Sequence, residues 1–346
     1  MPEPEAFAAM ERFRNRVMAL DASAAAELVQ AYGPIYLELS DRIDALLATI
    51  EEGQLTFVQV QRLGRFRTLQ AQIVAQIDRF SLVAASRVTE AQAGAVELSR
   101  QGARQVVGAA LPRGITLETL AQINLGWNAL PAEAFNIFVG LAGNGAPLRE
   151  LLAPLGAEVA AGVTGAIGQG IAIGQGPRRT AALVRDQFGM GLTRSLRISR
   201  TETLRSFRES SRLQYSANSN VVKGYRRREA RNGDTCMACI ALDGRRYELN
   251  EPLDEHVNGR GVLIPITVTY RDLGADVDEA PGEELESART WFRRQPAAAQ
   301  LRQMGPGKFA AWRDQRFDLE DMATVTSDPV WGDQAVETPL KVLVGG

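Results

Sequence analysis

Histidine and cysteine are almost absent from this chain: one histidine and two cysteines occur among 346 residues. Two cysteines do not make a disulfide framework, so synthesis in a reducing compartment is the default expectation. The single histidine, His256, stands close to both cysteines in the sequence, which leaves no separate base for a Ser-His-Asp hydrolase. Excess charge of one sign is missing too. A formal net charge of −2 gives no global electrostatic reason to bind nucleic acid or a membrane. The N-terminal stretch MPEPEAFAAMERF is acidic and carries neither a basic n-region nor an apolar h-region, so no secretory signal is expected. Strongly apolar runs are scarce. Val159 to Gln175 is nearly uncharged, but glycine and alanine dominate it and Thr164 and Gln169 interrupt it. Glu158 and Arg178-Arg179 bracket it within about the 20 residues that a membrane span needs. A buried or closely packed helix is the expectation there, and a membrane-active protein working through this segment is the competing reading.

Proline is absent between Pro34 and Pro112, and the apolar residues of that region recur at helical spacing. Ile35, Leu39, Ile43, Leu46, Leu47 and Ile50 form one stripe, with Gly33-Pro34 as the expected start of its helix and Gly53 as its end. A second stripe through Leu63, Phe66, Leu69, Ile73, Ile77, Phe80 and Val83 predicts a helix from Thr56 towards Ala110, unless Gly94 or Gly102 breaks it. Two long antiparallel helices, or a helical bundle, account for residues 1–111. Residues 112–190 read as shorter helices broken at Gly143-Asn144-Gly145 and at Gly174 to Pro177. Residues 191–346 carry a helix to about Ser219. Short β-like runs follow at Val221-Val222, Val262 to Ile264 and Ile266 to Tyr270, then an acidic loop over 275–286 and a tail. The expected class is therefore α+β, predominantly α, with long N-terminal helices and a smaller, short-stranded α+β domain.

Three patterns carry chemistry. Cys236 and Cys239 stand at Cys-x2-Cys spacing, which lets a tight turn offer two sulfurs to one metal or to each other, and His256 is a third natural zinc ligand. Three ligands call for a fourth, from water or from a carboxylate such as Asp234 or Asp243. Arg200-Thr201-Glu202-Thr203 invites an enzymatic reading, with Glu202 as the base of a zinc enzyme. The structural reading is stronger. Arg200 falls on the side of Leu196, Leu204 and Phe207, where a half-buried guanidinium is expected to fix the following β segment through its carbonyls. Finally, eleven Lys or Arg face three Glu between Arg194 and Arg231, a local net of +8. Arg194, Arg197, Arg205, Arg208 and Arg212 share one helix side, and Arg226, Arg227 and Arg228 follow. Such a stripe suits DNA phosphates, an acidic protein partner, or the chain's own Asp272 to Glu286. No aromatics interleave with it, so base stacking is not expected. The glycines of 165–176 have the wrong spacing for a dinucleotide fingerprint. Gly305 to Lys308 lacks the flanking residues of a phosphate loop.

Taken in order, Arg200-Thr201-Glu202, the Cys-x2-Cys turn, Leu242-Asp243-Gly244 and His256-Val257-Asn258-Gly259-Arg260-Gly261 resemble the head morphogenesis (minor head protein) family of tailed bacteriophages, the Mu F type. The family's last element is His-Pro-Asn-Cys-Arg-Cys, so both late cysteines are glycine here. The resemblance spans roughly Thr116 to Trp331, including the tail fragments Trp291 to Pro296 and Gly305 to Trp312, and is most specific from Arg200 to Pro265. It implies a low-copy structural protein of the phage head, not an enzyme. Its expected place is the virion near the portal, and the host cytoplasm during assembly. The implied partners are the portal protein, major capsid or scaffolding proteins, other copies of itself and, through the basic stripe, DNA. Arg200, Thr201, Glu202, Asp243 and Gly244 become structural motif residues. With the late cysteines gone, the resemblance implies a degenerate metal site and no cofactor. A weakly held zinc and a Cys236–Cys239 disulfide stay open as alternatives.

Overall fold

The computed structural model describes residues 3–52, 54–277 and 285–345. The fold is α+β and mainly α. Its first helix, α1 (Glu3–Glu52), is 50 residues long and runs straight through Gly33-Pro34, where the sequence suggested a start. An interior proline removes one ladder hydrogen bond and costs about 3 kcal/mol. Packing on both sides of it explains the continuity: Leu28, Tyr32, Leu39 and Ile43 are all buried, while Pro34 itself faces solvent. Helix α2 (Phe57–Arg62) opens on a Thr56–Gln59 capping box and closes at Leu63, which is extended. The long helix α3 therefore starts at Gly64 and not at Thr56, and reaches Ala110 without a break at Gly94 or Gly102. At about 1.5 Å per residue it is about 70 Å long. Gly102 is kept open for a reason other than flexibility, since a Cβ there would lie 2.8 Å from the Phe13 ring.

After α4 (Leu117–Gln122) and a 3-10 turn over Ala132–Phe138 come α5 (Leu148–Leu152), α6 (Leu155–Ala172) and α7 (Pro177–Ser216). Two compact units emerge, each assembled from separated stretches. One comprises 1–19, 92–139 and 204–346, the other 20–91 and 140–203. The division at 111/112 and 190/191 expected from the sequence does not follow these units. Glycine-rich breaks end helices, but the units divide α1, α3 and α7 part-way along their lengths.

Among the described residues, the unit of 20–91 and 140–203 has helices as its only regular elements, with one isolated bridge, Leu141 to Pro147. Arg87 pairs with Glu27 at 3.0 Å, Phe80 packs on Tyr32 at 4.8 Å, and Gln76 donates to Glu38 at 3.0 Å. Rising numbers on α1 thus meet falling numbers on α3, the antiparallel one of the two arrangements that the stripes left open. The nearly uncharged segment lies mainly in α6, and together with α5 that helix is the one stretch among the described residues long and apolar enough to cross a bilayer. Its buried residues, Leu155, Val159, Val163, Ile167 and Gly170 among them, form one face. Glycine lets neighbours approach: a Cβ on Gly162 or Gly170 would collide with Gln187 or Thr180. Thr164 accepts a hydrogen bond from Gln70 at 2.9 Å.

In the other unit β1 (Val222–Arg228) lies between β2 (Arg246–Tyr247) and β3 (Val262–Thr267), antiparallel to both. The expected β run at Val221-Val222 extends through the arginine cluster, whose acids are Glu229 just past the strand and Asp243, Asp254 and Glu255 from later segments. Beside the sheet, α8 (Met237–Leu242), α9 (Ala288–Arg293), α10 (Ala297–Met304) and α11 (Pro306–Arg313) enclose an apolar core of Met237, Ile240, Phe292, Met304, Leu319 and Met322. A hairpin of β4 (Ala323–Asp328) and β5 (Gly332–Glu337) was not expected from the sequence. Its strands are mostly polar, and its turn is made by the Asp328 carboxylate accepting the amides of Val330 and Trp331. Most of the acidic loop expected over 275–286 lies outside the described residues, at 278–284.

Pro34→Ala should raise the unfolding free energy, read from urea denaturation, by about 1–3 kcal/mol, because it restores a ladder bond in an exposed helix interior. A loss of stability would mean that the helix needs the proline's local geometry.

Candidate functional site

The end of β1 and the turns after it build one polar centre. Cys236 caps α8, its Sγ accepting the Cys239 amide at 3.4 Å. The loop 253–261 brings His256 over the same turn. Its Nε2 lies 3.2 Å from Cys236 Sγ and 3.1 Å from Cys239 Sγ, while Nδ1 bonds the Val257 carbonyl at 2.8 Å. The structure thus brings the three sequence-predicted ligands together. A cleft of about 160 Å³ opens beside them, lined in part by Asp234, Asn258 and Arg260.

The electrostatics favour an ion pair at this turn. The hydrogen bond from Cys239 does most to lower the Cys236 thiol, burial opposes it, and His256 adds to it; the result is a pKa of about 5. Burial disfavours the charged imidazole, but Cys236, Glu255 and the Val257 carbonyl outweigh it and hold His256 up to about 9. Cys239 is pushed the other way, well up, by its bond with Cys236 and by burial.

Behind the sulfurs lies Arg227, with no solvent exposure. Its Nε donates to Glu229 at 2.6 Å and Nη1 to Asp254 at 3.4 Å. Nη2 reaches Glu255 at 3.0 Å and Cys239 Sγ at 3.3 Å. Burial pushes Glu229 up to about 8 against the pull of Arg227. Burial also opposes ionisation of Glu255, but Arg227 and Arg208 prevail and keep its carboxyl low. Glu229, Asp254 and Glu255 were missed by sequence reasoning. Glu255 adjoins the histidine and Glu229 follows the arginine cluster, yet only the fold reveals that they share one guanidinium.

Asp243 was a candidate fourth ligand, and its contacts lie elsewhere. It accepts the amides of Glu229 and Ala288, each at 2.8 Å, and pairs with Arg228 at 3.2 Å. Gly244, at φ +88°, donates to the Arg227 carbonyl at 2.9 Å. The Leu-Asp-Gly turn therefore ties β1 to α9. Asp234 is exposed. The carboxylate at the cluster is Glu255, 3.8 Å from both Cys239 Sγ and His256 Nε2, and it also accepts the Gly261 amide. A Cβ on Gly259 would overlap the Glu255 carboxylate, and one on Gly261 would overlap Glu255 and lie 2.6 Å from Glu229. Two sets of donors are close enough to share an ion among the described residues, Cys236/Cys239/His256 and Glu229/Cys239/Glu255, and they have only Cys239 in common. The residues present do not fit the closed four-donor zinc site of the resemblance.

The Arg-Thr-Glu motif makes its contacts in the helical unit. Arg200 pairs with buried Asp21 at 2.8 Å, and not with the β segment. Thr201 bonds the Arg197 carbonyl, and Glu202 is buried and accepts the Gly143 amide at 3.2 Å. The role expected of Arg200 falls to Arg208 and Arg212, which donate to the carbonyls of Gly259 at 3.2 Å and Leu249 at 2.9 Å. The basic stripe is accordingly not one solvent face. Arg208, Arg227 and Arg228 are buried; Arg194 pairs with Glu158 and Arg212 with Glu209. Arg205 and Arg226 are half-buried and engaged within the protein, and Arg197 is exposed. Sequence spacing found a common helix side but could not show that part of it faces the protein interior.

No protein-family model, curated protein or solved structure matches the chain.

The ion pair predicts a pH dependence. His256, raised from 6.5, contributes stability that is full below pH 6.5 and lost as pH rises through about 9. Cys236, lowered from 9.0, contributes stability that is full above pH 9 and lost as pH falls through about 5. Between 6.5 and 9 the two slopes cancel, leaving a net loss between about 6.5 and 5. Unfolding in that window should take up about one proton more than in a Cys236→Ser/His256→Asn variant, as read from urea titrations across pH. Equal proton uptake would mean that the pair is not ionised.

Five open phosphate contacts would give DNA binding a log–log salt slope of about −4 to −5. With the stripe divided as it is, fluorescence anisotropy should find weak binding with a slope no steeper than about −2. A slope near −5 would return the stripe to the DNA.

Proposed function

We propose that the chain is a minor head protein of a tailed phage or prophage, a structural component that joins the capsid during assembly and associates with the portal. One observation carries the reading: each element of the motif string from the Cys-x2-Cys turn onward has an interlocking task in a single centre. The Cys-x2-Cys turn receives His256. The Leu-Asp-Gly turn holds Arg228 and the Glu229 amide. The His-Val-Asn-Gly-Arg-Gly element supplies the Gly259 carbonyl to Arg208 and the Gly261 amide to Glu255. A string whose parts cooperate in this way is harder to obtain by chance than the same residues scattered over a surface.

The remaining features suit a structural role. Helices of 50, 47 and 40 residues supply long faces for protein contacts. Glu202, the base of the competing zinc-enzyme reading, is committed to the Gly143 amide. The apolar α6 uses its glycine-lined face for packing inside its unit, which argues for assembly and against membrane insertion. Protein partners such as the portal, major capsid or scaffolding proteins fit this surface better than DNA, because most stripe arginines already have partners.

The test is the composition of particles. Heads purified from a producing lysate should contain this chain at low copy, and cross-linking mass spectrometry should join it to the portal protein. Its absence from purified heads and from assembly intermediates would refute the proposal.

A further inference from the structure

The polar centre poses a question that holds whatever the chain's biological role: what binds its converging segments together. We propose that the guanidinium of Arg227 is the cross-linking cation of this centre, doing by hydrogen bonds what a metal ion would do by coordination, so that the fold is independent of zinc.

Arg227 leads the fully buried side chains of the described residues by size. A buried charge is stable only when paired and fully hydrogen-bonded. Its partners come from separate segments: Glu229 just past β1, Asp254 and Glu255 from the loop before His256, and Cys239 from α8. A metal on the cysteines and histidine would join two of these, the α8 turn and the loop before β3, whereas Arg227 also ties in the end of β1. The cage extends outward from there. Asp254 accepts from Tyr247 at 2.6 Å and pairs with Arg245 at 3.3 Å, and its carbonyl accepts the Ala335 amide of β5.

The space and the charge point the same way. Side chains at Gly259 and Gly261 would collide with the carboxylates that Arg227 holds, so the glycines are what admit the carboxylates. Glu255 Oε1 approaches Cys239 and His256 but is already bonded to Arg227 at 3.0 Å. A zinc ion about 2.3 Å from Cys239 Sγ would share that sulfur with a guanidinium nitrogen 3.3 Å away, placing two cations side by side. The fork matters as much as the charge. Arginine's planar, divergent donors reach three carboxylates and a sulfur, a geometry that a lysine point charge cannot reproduce.

The experiment uses the full chain, expressed with zinc in the medium and kept reduced. Elemental analysis should find well under one zinc per chain, and a strong chelator should leave Tm unchanged. About one zinc per chain, with a fall in Tm on chelation, would overturn the proposal. Arg227→Met should lower Tm by on the order of 10 °C, because buried carboxylates lose their cation, and Arg227→Lys should not restore it. If either variant matches the wild type, Arg227 is not the cross-link. Should both fail to fold, the metal and chelator measurements on the wild type decide the question alone.

Discussion

A guanidinium without solvent must be matched atom for atom, and matching Arg227 dictates how the sheet-containing unit closes around it. Glu229 must leave β1 in the direction of the guanidinium, and the loop 253–261 must fold back far enough to deliver Asp254 and Glu255. Once that loop is fixed, His256 arrives over the Cys-x2-Cys turn and Gly261 presents its amide to Glu255. Arg208 then secures Gly259 from α7. Breaking one member leaves the others buried and uncompensated, the situation in which polar networks become costly. The centre is therefore cooperative: its parts are stable together and expensive apart.

The helical unit obeys a different constraint. Its long helices gain from apolar stripes meeting over many turns, each fully buried Leu, Ile or Phe contributing about 1.5–3 kcal/mol. A single unfavourable residue such as Pro34 is absorbed when both flanks stay packed. Glycine does work here that local propensity does not anticipate. Gly162 and Gly170 sit inside a helix because side chains of α7 occupy the space where a Cβ would be. The small residues of this apolar stretch are thus used for close packing within its unit.

Much of this was legible in the residues. The stripes of α1 and α3 gave two long helices, since a 3.6-residue period survives without knowledge of the partner, and left their pairing as hairpin or bundle open. The clustering of both cysteines and the only histidine in one segment located the centre. The β4–β5 hairpin was not legible, because polar strands bear no apolar alternation. Nor was the burial of Arg208, Arg227 and Arg228. An arginine inside and an arginine outside read alike in sequence, and what separates them is a set of partners, most of them many positions away.

The sequence by itself determined the fold class, the helical periods and the residues from which the centre is built, because these depend on local spacing and residue type. Tertiary structure alone decided which helices share a unit, which arginines lost their water, and that Glu255 and Glu229 fill the room left by Gly259 and Gly261. The physical reason is range. Periodicity and turn chemistry act over a few residues, whereas charge matching and space filling join atoms that only the folded chain brings within a few ångströms.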